Sequence, residues 1–142
     1  MRKFRFLEHP TDLRMRVWGV TRKELFVQAA QGMMGKCVPL RKPGDPARLL
    51  SKPIKLSAPS VDDLFVAWLN EVLYQFSVHS FYFSDASFAA LTDSRLDAAM
   101  QGWPVAQVNL CKGSGLEVKA ATYHGLEIRS APRWEAEVIL DV

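Results

Sequence analysis

The residues best suited to do chemistry lie near the two ends of the 142-residue sequence. Asp141 precedes Val142, so a side-chain carboxylate and the α-carboxylate stand one residue apart. Two anions at such short range repel each other unless a cation or a basic group lies between them. If the final strand pairs beside the first, Asp12 adds a third carboxylate, and oxygen ligands alone favour a hard cation such as Ca²⁺ or Mg²⁺ over zinc. On composition and spacing alone, the favoured interpretation is that Asp12 is a turn residue and the last residues form a frayed end.

The other reactive side chains form no recognisable catalytic or zinc-binding pattern in the sequence. His9, His79 and His124 are scattered along the chain, and a lone histidine is more often a hydrogen-bonding residue than a ligand or base. Cys37 and Cys111 lie far apart and lack the Cys-x-x-Cys spacing of a redox or zinc motif. We therefore expect both thiols to be buried or inert.

The elements that position the N-terminal carboxylate follow from the pattern of apolar residues. Polar and apolar residues alternate over 3–7 and 13–18, which predicts two half-buried strands on either side of the loop that holds Asp12. Thr21 followed by Glu24 is typical of a capping box, so a helix is expected to begin at Thr21 or the next residue. Gly35 is expected to end this helix.

A second helix and several strands are predicted further along the chain. Ser60 is expected to cap the second helix, which carries an apolar face several turns long. Strands are predicted at 81–83, 88–91, 96–100, 116–123, 126–129 and 135–140, with a break at 102–104 and a turn at Gly125. The alanine-rich run 96–100 fits a short helix equally well, although a strand is the interpretation adopted. The order of elements predicts an α+β fold in a single domain spanning 1–142, with two main helices packed on a largely antiparallel β-sheet.

Composition excludes several classes of protein. The chain is 49% hydrophobic and 23% charged, and it is long enough to bury a core without disulfides or a structural metal. No apolar stretch approaches the ~20 residues of a membrane span, and the first residues lack the apolar core of a signal peptide. We therefore expect a cytoplasmic protein that does not enter the membrane.

The distribution of charge suggests an alternative function. Residues 1–71 hold thirteen basic and seven acidic side chains, whereas residues 72–142 hold five and eight. Five of the basic residues lie in or just after a proline-containing segment: Arg41, Lys42, Arg48, Lys52 and Lys55. This segment is expected to be an exposed loop, although residues 49–56 could form an edge strand. A small RNA-binding module that holds phosphates through this loop is one hypothesis, although the loop lacks aromatic residues for base stacking.

Blocks from both ends and the middle of the chain resemble the archease family, in the order expected for that family. They include residues 6–12, 24–33 and 63–74. The most specific are the Lys-Ala-Ala-Thr-Tyr-His segment at 119–124 and the final Asp-Val within 134–142. The resemblance implies a small α+β accessory protein, a cofactor or chaperone rather than an enzyme, that assists the RNA-splicing ligase in tRNA splicing. It would promote guanylylation of the ligase and multiple turnover, and it would meet RNA indirectly, through the ligase.

The resemblance also assigns roles to particular residues. The metal site of the family maps onto Asp12, Asp141 and Val142, with Ca²⁺ as the expected ion and Mg²⁺ or Mn²⁺ as alternatives. The metal interpretation of the three carboxylates therefore becomes the favoured one.

Four further residues are candidates for a supporting role or for the partner surface. Lys119, Tyr123 and His124 match a family motif, and they could equally tie down the end of a strand. His9 lies in the same loop as Asp12 and is also the only general base that a rival hypothesis, an unrecognised metal-dependent hydrolase, could use there.

The sequence departs from the family pattern beside the predicted metal. The family usually has His-Thr-Ala-Asp where this chain has His9-Pro10-Thr11-Asp12, and proline fixes the backbone differently. Arg14 stands near a position where glycine or another small residue is common. Its guanidinium brings a positive charge close to the predicted cation site.

Overall fold

In the computed structural model, two antiparallel sheets enclose a pair of helices. The structure describes residues 2–8, 12–111 and 115–142, without the side chains of Glu8 and of residues 123–125. The elements in chain order are β1 (Phe4–Glu8), β2 (Leu13–Gly19), α1 (Arg22–Cys37), β3 (Leu50–Ser57), α2 (Val61–Ser77), β4 (Phe81–Leu91), β5 (Arg95–Pro104), β6 (Ala120–Arg129) and β7 (Trp134–Asp141). Single 3₁₀ turns at Pro46–Arg48 and Val105–Gln107 lie in the connections.

The four-stranded sheet has the strand order β1-β2-β7-β6, and the three-stranded sheet has the order β3-β5-β4. Helix α1 contacts both β2 and β4, and α2 contacts both β6 and β4, so the helices lie between the sheets. This arrangement confirms the predicted α+β class. The last strand, however, pairs with the second strand and not with the first.

The alternation in β2 decides which of its side chains enter the core. Leu13, Met15 and Val17 are buried against the helices, so the residues between them face the opposite side of the sheet. Arg14 and Arg16 therefore lie on the outer face, together with Asp12, which directly precedes the strand.

The N-termini of both helices are capped as the sequence predicts. The Thr21 hydroxyl accepts a hydrogen bond from the Glu24 backbone N–H at 3.1 Å, and the Ser60 hydroxyl accepts one from the Asp63 N–H at 3.2 Å. Each cap satisfies one of the backbone donors that a helix leaves unpaired in its first turn.

The prediction that Gly35 ends α1 is wrong, since the helix continues to Cys37. A glycine stops a helix when it adopts the left-handed conformation, and Gly35 keeps the helical one. Val38 instead leaves the helix in an extended conformation while its N–H still bonds to the Met34 carbonyl.

Trp68 of α2 joins the two helices and the three-stranded sheet in the core. Its side chain is fully buried, and its indole N–H donates a hydrogen bond to the carbonyl of Phe26 in α1 at 2.9 Å. Its ring also meets that of Phe83 in β4 edge-on, with 5.8 Å between ring centroids. Because a buried indole needs an acceptor, this bond fixes the depth at which α2 packs against α1.

Several strands are longer and more irregular than the sequence predicts. Segments 81–83 and 88–91 belong to one strand, β4, whose register against β5 shifts twice. The strand break predicted at 102–104 is not observed, since these residues belong to β5. Gly102 has no Cβ, and the Tyr82 carbonyl and the Phe81 ring of β4 therefore pack closely against its backbone. Residues 116–119 precede β6 and are not part of it.

The turn predicted at Gly125 is also absent from the described backbone. Residues 120–129 form the single strand β6, whose register against β7 shifts between Thr122 and Glu127. A bulge takes up the extra residues that the sequence suggests should form a turn. The edge strand that the sequence allowed over 49–56 is observed as β3, which among the described strands pairs only with β5, so the predicted loop ends before Leu50.

Candidate metal-binding site

The register of β2 and β7 brings the two candidate aspartates to the same end of the four-stranded sheet. Leu13 is the register partner of Leu140, and both side chains are buried. Asp12 precedes Leu13 by one residue and Asp141 follows Leu140 by one residue, so the same register continued by one step sets Asp12 opposite Asp141. Because side chains alternate along a strand, both carboxylates belong to the outer face of the sheet.

The neighbouring edge strand holds the backbone of Asp141 in place. Asp141 is the register partner of Ala120, and the Lys119 N–H donates a hydrogen bond to the Asp141 carbonyl at 2.7 Å. Val142 follows this bonded pair and is 48% exposed. The backbone of Asp141 is therefore held beside β6, whereas the side chains of Asp141 and Val142 remain open to solvent.

Two arginines and a glutamate lie beside the aspartates on the same face. The Arg14 Nε lies 3.5 Å from Asp12 Oδ1, and the Arg14 Nη1 lies 3.5 Å from Glu137 Oε1. The Arg16 Nη2 donates to Glu137 Oε2 at 2.9 Å. This hydrogen bond, more than any other contact, holds the pKa of the Glu137 carboxyl below its usual value.

The chemistry of these donors fits a hard cation. Among the residues that the structure describes, no group of three or more His, Cys, Asp or Glu side chains lies close enough to hold a metal ion. A cation at this end of the sheet would therefore be held by two side-chain carboxylates, supplemented by the oxygens of Val142 and by water. Oxygen donors with open positions for water suit Ca²⁺, which takes six to eight ligands and tolerates irregular geometry.

Three of the four supporting candidates fall outside what the structure describes. His9 belongs to the undescribed loop, and Tyr123 and His124 have a described backbone in β6 but no described side chains. Lys119 is exposed and lines a cavity of about 1020 Å³ between α2 and residues 115–120. Leu73 of α2 contributes to the apolar wall of this cavity.

The buried cysteine behaves as the sequence predicts. Cys37 lies at the end of α1 within the core cluster, and burial raises the pKa of its thiol to about 11. A thiol with so high a pKa is almost entirely protonated at neutral pH, and the protonated form is a poor nucleophile. The predicted burial is therefore confirmed for Cys37, whereas Cys111 is only half-buried.

The five basic residues proposed to hold phosphates include fewer unpaired positive charges than the sequence suggests. Lys52 is half-buried. Its Nζ donates a hydrogen bond to Gln75 Oε1 at 3.0 Å and lies 4.9 Å from the centroid of the Phe81 ring. Arg48 lies 3.9 Å from the Asp45 carboxylate. The three remaining basic residues are exposed: Arg41 and Lys42 in the connection before β3, and Lys55 within β3.

Sequence reasoning missed Glu137 and Arg16 as neighbours of the aspartates. Their pairing depends on the register of β2 against β7, in which Arg16 is the partner of Glu137. The one available signal was the alternation of charged residues in both strands, which places charges on one face but does not say which of them meet.

The fold defines the chain as a small α+β protein of the class seen in the solution structure of Methanobacterium thermoautotrophicum protein 1598. The two structures match over 100% of both chains with a TM-score of 0.67 and 21% sequence identity. Residues 4–142 match the Archease protein family. The chain is also 30% identical to the protein archease of Methanosarcina barkeri, covering 99% of this chain and 97% of that relative. It is 28% identical to that of Ictalurus punctatus, covering 99% and 86%.

This chain therefore belongs to the archease family. The names of these relatives mention no enzymatic activity. Within the described residues, neither helix has the length and the apolar character that a membrane span requires.

Proposed function

We propose that this chain is an accessory protein of an RNA-splicing ligase, as membership of the archease family implies. It promotes guanylylation of the ligase and multiple turnover in tRNA splicing, and it is not itself the catalyst. RNA reaches it only through the ligase. The support for this proposal is the match to the family over residues 4–142.

The proposal includes a divalent cation held by Asp12, Asp141 and Val142, with Ca²⁺ as the expected ion and Mg²⁺ or Mn²⁺ as alternatives. The observation that carries it is the β2–β7 register, which sets Asp12 opposite Asp141 although 128 residues separate them in the sequence (141 − 12 − 1). When bound, the cation would supply charge neutralisation at the point where the ligase takes up its nucleotide.

The residues around these carboxylates orient them. The Lys119 N–H fixes the carbonyl of Asp141 and so holds the end of β7 against β6. The register is fixed by the buried pair Leu13 and Leu140, each of which is the sequence neighbour of one aspartate. These contacts hold both aspartates at the same end of the sheet, where a bound cation would offset the repulsion between their like charges.

A guanylylation assay of the cognate ligase, with and without this protein, tests the function. We expect clear stimulation by the wild type and a loss of about tenfold or more in Asp12→Asn and Asp141→Asn, since each variant removes a charged ligand. Asp97→Asn, which removes a carboxylate from β5 in the other sheet, is the matched control and should stimulate normally.

The two parts of the proposal fail separately. A wild-type protein that leaves guanylylation unchanged contradicts the accessory function. Folded Asp12→Asn and Asp141→Asn proteins that stimulate as well as the wild type contradict the cation site and leave the accessory function standing.

A further inference from the structure

Arg14 lies between two carboxylates and is bound tightly to neither. Its guanidinium is 3.5 Å from Asp12 Oδ1 and 3.5 Å from Glu137 Oε1. A strong hydrogen bond between an arginine and a carboxylate is about 2.7–2.9 Å long from nitrogen to oxygen. The neighbouring Arg16 makes such a bond, with its Nη2 at 2.9 Å from Glu137 Oε2.

The strand register explains why Arg14 is shared. Arg16 is the direct register partner of Glu137 and takes one of its oxygens at close range. The register partner of Arg14 is Ile139, which offers no charge. Arg14 must therefore reach diagonally to Glu137 in one direction and along its own strand to Asp12 in the other.

We propose that Arg14 competes with the cation for the Asp12 carboxylate. Glu137 is the alternative partner of Arg14 when the cation is bound. Without a cation, the guanidinium neutralises the Asp12 carboxylate. When a divalent cation binds, Arg14 moves entirely to Glu137 Oε1, the oxygen that Arg16 leaves available. This inference rests on the proposed cation site and assigns the residue that sets its affinity.

The competition has two physical sources. A carboxylate oxygen that bonds to a guanidinium is a poorer ligand, so the pair must separate before the cation is held fully. The positive charge of Arg14 also repels the cation, and a unit charge roughly 6 Å from a divalent ion in water-like surroundings changes its affinity roughly tenfold. The Arg14 and Asp12 side chains are 36% and 23% exposed, so salt screens this repulsion and the measurement belongs at low ionic strength.

Calorimetric titration of the full chain with CaCl₂ tests the inference without any ligase. We expect Arg14→Gln to bind Ca²⁺ about three- to tenfold more tightly than the wild type. Glu137→Gln should bind Ca²⁺ more weakly, because Arg14 then has only Asp12 as a partner. Arg5→Gln removes the same charge from an exposed site on β1 and should change the affinity by less than about twofold.

The double variant separates competition from a general effect of charge. If Glu137 acts by holding Arg14, Glu137→Gln has no further effect once Arg14→Gln is present, so the two effects are not additive. Arg14→Lys is a second variant, which keeps the charge but lacks the planar fork that bridges two carboxylates. Its Ca²⁺ affinity should lie between those of the wild type and Arg14→Gln.

Each alternative outcome has a definite meaning. Unchanged or weaker Ca²⁺ binding by a folded Arg14→Gln protein overturns the role of Arg14, and the cation site stands if Asp12→Asn abolishes binding. Additive effects in the double variant overturn the role of Glu137 as the alternative partner. Absence of Ca²⁺ binding in the wild type and in every variant overturns the inference together with the cation site.

Discussion

The side-chain amide of Asn70 makes two hydrogen bonds with the backbone of Ala121. Asn70 Nδ2 donates to the Ala121 carbonyl at 3.2 Å, and the Ala121 N–H donates to Asn70 Oδ1 at 2.8 Å. Because β6 has β7 as its one neighbour among the described strands, the amide of Asn70 in α2 pairs with backbone groups on the open edge of β6. The helix thereby positions β6, and Lys119, the residue just before β6, donates its N–H to the Asp141 carbonyl.

Replacing Asn70 should loosen this edge. Asn70→Ala leaves both backbone groups of Ala121 without their partner, and we expect the free energy of unfolding to fall by about 2 kcal/mol. Urea denaturation provides the measurement. Asn109→Ala removes an exposed amide and should change stability by less than about 0.5 kcal/mol. Equal stability of the two variants would show that the bonds to Ala121 contribute nothing.

Glu137 should make stability depend on pH in the acidic range. Its hydrogen bond from Arg16 lowers the folded-state pKa below the usual value of 4.5. The pair therefore stabilises the folded protein above that value, and the stabilisation is lost as the pH falls through the lowered pKa. We expect the unfolding free energy of Glu137→Gln to decline less between pH 5 and about pH 3 than that of the wild type. Glu117→Gln, an exposed control, should retain the wild-type profile.

Cys37 should react slowly with thiol reagents. In a Cys111→Ser protein, which leaves Cys37 as the single thiol, a pKa of about 11 leaves about one thiol in a thousand ionised at pH 8. Burial restricts access further. We expect modification by iodoacetamide to be at least about a hundredfold slower in the native protein than in guanidinium chloride. Comparable rates in the two states would contradict the burial of this thiol.

Two glycines should respond oppositely to alanine. A Cβ at Gly102 would overlap the Tyr82 carbonyl oxygen in the adjacent strand, so Gly102→Ala should lower the unfolding free energy by about 2 kcal/mol or more. A Cβ at Gly35 meets nothing within 4 Å, and the residue lies inside α1, so Gly35→Ala should stabilise the protein by about 0.5–1 kcal/mol. Thermal denaturation of each variant, compared with the wild type, measures the two changes in stability. Stabilisation by Gly102→Ala would show that β4 and β5 separate there at little cost.

Local patterns in the sequence predicted much of the fold. The alternation over 13–18 and the caps at Thr21 and Ser60 are confirmed, because each depends on residues within one turn or strand. The predictions at Gly35 and Gly125 are wrong, since a glycine permits a helix end or a turn without requiring one.

The candidate site was only partly predictable for a similar reason. The sequence identified the aspartates but brought Asp12 to the last residues only on the condition that the final strand lies beside the first, whereas β7 pairs with β2. Alternation shows which face a residue occupies and does not show which distant strand will be its neighbour. Arg14 was recognised as a nearby charge, but its sharing between Asp12 and Glu137 depends on a register that only the folded sheet reveals.

The pairing of β2 with β7 also has a consequence for the order of folding. The three strands of the smaller sheet all lie in the middle of the chain, between β2 and β7, whereas the larger sheet joins the first two described strands to the last two. Contacts between residues so distant in sequence form slowly, because a long loop must close first. A chain still emerging from the ribosome can assemble β3, β4 and β5 before β7 exists, and Asp141 reaches the end of the sheet that holds Asp12 only when the final strand is inserted.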